Sequence, residues 1–286
     1  MRALPRIDPM RILLTNDDGI GAKGLHAARR ALLELDDVEL HVIAPDSNRS
    51  ATGRSITTRS PLSVEEFSFA DGGTGFATDG TPVDCVRFAE LGLLGERPEL
   101  IVSGINHGAN LGDDVTYSGT VAAALEGIVL GLPAIAASQQ STKGEMDFRL
   151  GRSFDFEVAA RFLAELVRMV GREPMPPGTL VNVNCPAGKA SGVEVTHLGK
   201  RLYNDELKLV DEDGDGRRRF QIYGFEPSYE DEQGSDLSAI AAGRISVTPV
   251  HFDLTDRDGI GTLRGWDLET TLQAAAERAA EAAEAQ

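Results

Sequence analysis

The chain has 286 residues, 41% hydrophobic and 26% charged, which supports a buried core in one large or two modest domains. A net charge of -17 excludes a protein drawn to nucleic acid or anionic membranes by its overall field, and no stretch nears the roughly 18 apolar residues of a membrane span. Cys85 and Cys185 stand in unrelated contexts, exclude a disulfide framework, and read as buried, reduced thiols of a cytoplasmic protein.

MRALPRIDPM at the start has no apolar h-region, so residues 1–9 read as a short disordered extension rather than a signal peptide. Ile12, Leu13 and Leu14 then form an apolar run that ends at once in Asn16, Asp17, Asp18 and Gly19. A buried parallel strand reads this way when its carboxyl end opens into a site. Adjacent carboxylates repel, so either one takes a proton or a cation sits between them. From these residues alone, a divalent-metal site and a solvated Asp-Asp-Gly turn both stay open.

An amphipathic run from Leu25 to Leu35 and a strand from Val38 to Ala44 complete a βαβ unit and predict a parallel sheet. Gly19, Gly21 and Gly24 spell G-x-G-x-x-G, with Asp46 after the second strand, and mimic a dinucleotide fingerprint. The acidic pair argues against that reading, because a pyrophosphate needs amide donors beside it and not two carboxylates. Asp46 to Ser60 is a polar loop whose Ser and Asn oxygens suit a hard cation, and whose Arg49, Arg54 and Arg59 could hold an anion. Residues 61–77 alternate around Gly72-Gly73 as a hairpin, and Asp79-Gly80-Thr81-Pro82 opens a helix over Val83 to Leu91 by ordinary capping chemistry.

Glu99 to Ser103 predicts another buried strand, followed by a Gly-rich loop from Gly104 to Asp114. In that loop Asn106 offers an oxygen to a cation or an amide to a substrate, while His107 reads as a surface-loop histidine. Ser118, Gly119 and Thr120 stand at the start of a helix over Val121 to Leu130, where free amides, two hydroxyls and the helix dipole make an anion pocket or an ordinary cap. A strand over Ala134 to Ser138, a helix over Phe154 to Val170 ended by Gly171 and Pro174, and a strand over Thr179 to Asn184 follow. Val193 to Leu198 and Tyr203 to Val210 read as strands, with Arg217 to Gly224 answering the latter across DEDGDG as a long hairpin. That turn is no EF-hand, because Ile222 stands where an acidic ligand is required. Residues 226–236 read as an acidic loop, Ser238 to Ala242 as a short helix, Arg244 to Pro249 as a strand, and Trp266 to Ala285 as an Ala- and Glu-rich helix with little apolar surface. No Walker A pattern and no G-x-S-x-G elbow is present, so the strand-end loops together describe a metal-assisted site for a phosphate group.

Six stretches carry a family resemblance: ILLTNDDG from Ile12, APDSNRS from Ala44, DGTPVDCV from Asp79, SGINHGANLGDDVTYSGTVAAALEG from Ser103, NVNCP from Asn182 and ISVTPVHFDLT from Ile245. They resemble the SurE nucleotidases over nearly everything from Met10 to about Thr255. The resemblance implies a metal-dependent phosphatase of nucleoside 5′- and 3′-monophosphates, some members also trimming polyphosphate. Its metal ligands fall on Asp17, Asp18, Ser50 and Asn106, its catalytic residues on Asp17, Asp18 and Asn106, and its phosphate pocket on Asn106, Ser118, Gly119 and Thr120. It implies one magnesium or manganese ion per subunit and a homodimer or homotetramer with an exchanged C-terminal arm, for which residues 203–249 are the candidate. Ala51 departs from a usual Gly and Lys23 from a common Pro. Attack by water is favoured over attack by Asp17 or Asp18, since both carboxylates serve as ligands. The expected fold is α/β, a Rossmann-like, mostly parallel sheet flanked by helices, in one domain over residues 10–286 with a hairpin arm and a C-terminal helix over 266–286. The competing readings are a non-catalytic nucleotide- or metal-binding protein and a dinucleotide-dependent oxidoreductase.

Overall fold

A computed structural model describes residues 8–145, 152–173, 175–203, 205–222 and 228–284. Residues 1–7 of the expected extension, the helix stop at Pro174, the hairpin end at Gly224 and the loop start at 226–227 lie outside the described residues. The chain divides into a unit ending at Phe252 and a second from Asp253 onward.

In the first unit, β1 (Met10–Thr15), α1 (Lys23–Leu33) and β2 (Val38–Pro45) form the predicted βαβ unit, with Ile12 opposite Leu40 in parallel register. β3 (Val64–Ser68) and β4 (Thr74–Thr78) are the predicted hairpin. The helix α2 (Pro82–Glu90) opens with a capping box in which Thr81 and Asp84 satisfy each other's amides, so the DGTP motif is a helix start. Alternation continues through β5 (Leu100–His107), α3 (Gly119–Val129), β6 (Ala134–Gln139), α4 (Glu157–Arg172) and β7 (Thr179–Cys185). Shorter strands follow: β8 (Val193–Val195), β9 (Arg201–Leu202), β10 (Lys208–Glu212), β11 (Arg218–Gln221) and β12 (Ser228–Tyr229). Helix α5 (Asp236–Ala241) and strand β13 (Ile245–His251) end the unit.

The main sheet runs β3-β4-β2-β1-β5-β6-β7-β13-β8. From β4 to β7 all neighbours are parallel, while β3 and β13 run antiparallel to β4 and β7. Strand β1 has β2 on one side and β5 on the other, so the winding reverses between β1 and β5. Ligands of doubly wound sheets bind beyond the carboxyl ends of strands at such a switch point, and the Asn16–Gly19 turn leaves β1 there.

Buried side chains alternate between two layers, as strand pleating requires. Ile12 and Leu14 pack with Leu25, Leu32, Leu163 and Val167 of α1 and α4, whereas Leu13 packs with Val86, Val121 and Ile128 of α2 and α3. The apolar run of β1 is continuous because both its faces are covered.

Three expectations change. Strand β5 continues past Ser103 to His107, because a register shift against β6 between Ser103 and Asn106 lets pairing resume, so Asn106 and His107 lie on the strand end and not in a loop. Residues 203–210 do not form one strand: β9 pairs with β12, and β10 with β11 makes the exposed hairpin. The segment after Phe252 forms α6 (Arg257–Arg264) as well as α7 (Leu268–Glu284). None of the residues of α6 is buried, so it leaves no apolar face to read in the sequence; Asp256 caps it through the amides of Asp258 and Gly259.

Candidate active site

Asp17 and Asp18 leave β1 at the switch point, and three loops close on them. Asp17 is buried, and its Oδ1 accepts the hydroxyl of Thr120 from the first turn of α3. Gly119 makes this approach possible: a Cβ there would lie 2.7 Å from the Asp17 Cβ and 2.8 Å from its Oδ2. The carboxylate therefore lies against the start of α3, where first-turn amides lack intrahelical acceptors and favour negative charge. Asp18 accepts from the His107 amide at 3.0 Å and from Asn48 Nδ2 at 3.3 Å. The Arg49 amide donates to the Asp17 carbonyl at 2.6 Å, which fastens the loop after β2.

Among the described residues neither carboxylate has a Lys or Arg partner. Burial pushes the Asp17 carboxyl up, the neighbouring Asp18 charge adds to the rise, and burial pushes Asp18 up as well. His107 supplies no compensating charge. Burial holds its imidazole below the usual range, and its Nε2 accepts the Gly24 amide at 3.2 Å. Its proton then sits on Nδ1, 3.7 Å from Asp18 Oδ1. The expected surface-loop histidine is thus half-buried, with its ring 5.2 Å from Phe154 and 5.1 Å from Phe156, because β5 carries it inward.

The residues present suit a hard divalent cation. Two buried carboxylates lack counter-charge, and Asn106 donates through Nδ2 to the Gly108 carbonyl at 2.8 Å, which leaves Oδ1 as the acceptor end. Among the described residues no third His, Cys, Asp or Glu completes a cluster, so further ligands must be neutral oxygens. Ser50 lies on the exposed turn after Asn48, to whose Oδ1 its amide donates at 2.9 Å.

At the helix start, Ser118 caps α3, its Oγ accepting the Val121 amide at 3.0 Å, and the Thr120 hydroxyl is engaged by Asp17. The Thr120 hydroxyl is committed to Asp17, whereas the Ser118 hydroxyl, an acceptor from Val121, keeps its own proton to donate at the mouth of the helix beside the Gly119 amide. Two of the proposed anion-binding arginines are committed within the protein: Arg49 pairs with Asp46 at 3.0 Å and Arg54 with the buried Glu126 at 2.5 Å, while Arg59 is exposed. Gly24 of the decoy fingerprint lets α1 pack against the Ile105 carbonyl, which explains it without a dinucleotide.

Ala51, in the turn that carries Ser50, adopts φ +59°, the left-handed region that costs a Cβ about 1–2 kcal/mol. Ala51→Gly is expected to stabilise the protein by about 0.5–1 kcal/mol after the larger entropy of glycine in the unfolded chain. Thermal unfolding checks this, and a lower midpoint for the variant would contradict it.

Two supports were not read from the sequence. Beneath the loop after β5, Asn110 donates through Nδ2 to Ser138 Oγ at 2.9 Å, and its carbonyl accepts from Asn182 and Asn184 at 3.0 Å each. Asp114, on the 3-10 turn Gly112–Thr116 that leads to Ser118, forms a fully buried pair with Arg201 at 2.6 Å. The alternating Asn182 and Asn184 on β7 were the available signal for the first; nothing local signals the second.

Fold and site together define a Rossmann-like α/β protein with an acidic, oxygen-donor site at the switch point of its sheet. The family model described as Survival protein SurE matches residues 12–205. A protein of Rubrobacter xylanophilus named 5′-nucleotidase SurE is 52% identical over 263 residues, covering 91% of this chain and 98% of that protein. A Chloroflexus aggregans protein of the same name is 47% identical over 264 residues, covering 91% of this chain and 100% of its own length. The solved SurE protein from Aquifex aeolicus superposes with a TM-score of 0.72 at 36% identity, covering 89% of this chain and 98% of that one. The chain belongs to the SurE family.

Proposed function

We propose that the protein is a 5′-nucleotidase: a phosphomonoesterase that hydrolyses nucleoside 5′-monophosphates, and 3′-monophosphates as a second substrate, to nucleoside and phosphate. One observation carries the mechanism: two buried carboxylates without counter-charge face the start of α3 across the Gly119 opening. Relatives named 5′-nucleotidase SurE support the substrate class.

Asp17, Asp18 and Asn106, with Ser50 from the neighbouring turn, would hold one magnesium or manganese ion. Such a cation, when bound, draws charge from the phosphoryl group and makes phosphorus more electrophilic. The protein's own residues do the positioning. The Thr120 hydroxyl and the His107 amide fix the two carboxylates, Ser118 fixes the first turn of α3, and the Gly119 amide donates to a phosphoryl oxygen as its charge grows. With both carboxylates occupied in holding the cation, neither would be free to attack phosphorus, and water would take that role. The exposed β10–β11 hairpin supports a homodimer or homotetramer in which this arm packs on a second copy, and no helix among the described residues is long and apolar enough to cross a membrane.

The test is phosphate release from AMP, GMP and CMP. We expect release with added manganese or magnesium and a loss of about 100-fold or more in EDTA, reversed by excess manganese. Cation-supplied protein that releases phosphate from none of the three would overturn the reading.

A further inference from the structure

A cavity of about 410 Å³ opens between α1 and the residues leading into α4. Lys23, His26 and Arg30 line it from the helix, and Phe154, Asp155 and Phe156 from the facing segment. None of these residues belongs to the acidic pair or its immediate supports. His107 joins the two places: its amide donates to Asp18 at 3.0 Å, and its ring stacks on Phe154 at 5.2 Å. One residue thus separates the carboxylate from the aromatic wall, much as one sugar separates phosphate from base in a nucleotide.

The walls carry a specific chemistry. Phe154 is half-buried, and its ring lies within 21° of parallel to those of His107, at 5.2 Å, and the buried Phe156, at 5.7 Å. His26 is fixed by a 2.9 Å bond between Nε2 and the Ile20 carbonyl. Lys23 and Arg30 are exposed donors, and Asp155 uses one carboxylate oxygen for the Glu157 amide at 3.1 Å, leaving the other as an acceptor. A phosphate has no use for an aromatic wall or a carboxylate. A heteroaromatic base has use for all three, since it presents a π-face for stacking and an edge of mixed donors and acceptors. The volume falls within the range of small-molecule sites.

We infer that this cavity is the nucleobase subsite, where the base stacks on Phe154 and its edge meets Arg30, Lys23 and Asp155. The inference rests on the nucleotidase reading and deepens it. Steady-state kinetics with GMP and with ribose 5-phosphate, the same monoester without a base, test it. In the wild-type protein we expect kcat/KM for GMP to exceed that for ribose 5-phosphate about tenfold or more. Phe154→Ala should cut that ratio about fivefold or more, mainly through KM for GMP, with ribose 5-phosphate unchanged and with Phe154→Tyr restoring it. Arg30→Ala, on an exposed helix face, should lower the ratio independently of the aromatic wall. An unchanged ratio in both alanine variants overturns the subsite. So does a parallel fall for both substrates in Phe154→Ala, which would mean that Phe154 acts only through His107. If wild-type protein hydrolyses neither monoester, the nucleotidase reading itself has failed, a result separable from a failed subsite.

Discussion

Asp18→Asn should abolish phosphate release from nucleotides, by on the order of 10³-fold or more in kcat/KM, while making the metal-free protein more stable at neutral pH. The two readouts have one cause. Asp18 is buried beside Asp17 with no cationic side chain to compensate it, and burial pushes its carboxyl up to about 6. A carboxyl whose folded value lies above its unfolded value binds its proton more tightly in the native state. Stability from that group is therefore greatest at low pH, falls as pH rises through the unfolded value near 4 toward 6, and stays low above that. Asparagine removes the penalty and keeps an acceptor for the His107 amide, so the variant should gain over wild type as pH rises across this window. Denaturant unfolding of EDTA-treated proteins at pH 4.5 and 7.5 measures the difference, and added manganese should reverse the order by stabilising wild type alone. Near wild-type turnover by Asp18→Asn with manganese present would sink the site assignment. A variant less stable than metal-free wild type at pH 7.5 would sink the account of why the pair is poised for a cation.

The parts of this site that were legible lie within short stretches of chain. An apolar run that ends in two aspartates marks both the strand and its functional end, and Ser118 announces the start of α3. The βαβ spacing was enough for the parallel sheet and for the crossover that places Asp17 at the switch point. What escaped depends on partners distant in sequence. Gly104 looked like a loop start, yet it adopts φ +134° against Ala137 and lets β5 run on to His107. Whether His107 faces water or a phenylalanine depends on Phe154 and Phe156, which come from the segment between β6 and α4. Arg54 of the 46–60 loop reads as an anion ligand because its carboxylate partner, Glu126, lies within an apolar helix pattern and carries no sign of its own. Thr120 read as an anion donor for the same reason: its acceptor, Asp17, is 103 residues away. Strand β13 was seen as a strand, but nothing in its own residues says that it inserts between β7 and β8, antiparallel to the first and parallel to the second.

Arg201→Ala should destabilise the protein by about 3–5 kcal/mol, lowering its thermal midpoint by roughly 10 °C. Arg201 meets Asp114 through Nε at 2.8 Å and Nη2 at 2.6 Å, and both side chains are almost entirely shielded, at 1% and 0% exposure. Tyr203 adds a hydroxyl bond to the other Asp114 oxygen at 2.8 Å, and burial, with the carboxylate beside it, pushes that phenol up. Removing the guanidinium leaves a buried carboxylate with one neutral donor, and the cost is that of an uncompensated charge more than of a lost attraction. Two further variants separate these contributions. Arg201→Lys keeps the charge but replaces a planar fork by a single point donor, so it should fall between wild type and alanine. The double variant Asp114→Leu with Arg201→Met removes both charges and should recover most of the loss, because well-packed apolar groups replace a buried pair at little cost. Activity should follow a different order. Asp114 lies on the turn that delivers Ser118 to the head of α3, and Arg201 begins the segment that leads into the hairpin arm. A folded Arg201→Ala protein, assayed below its own midpoint, should therefore lose turnover through a displaced Gly119 amide while its affinity for manganese at Asp17 and Asp18 holds. A midpoint within a degree or two of wild type would show that the Asp114 carboxylate finds other compensation and that the pair does not brace the helix start.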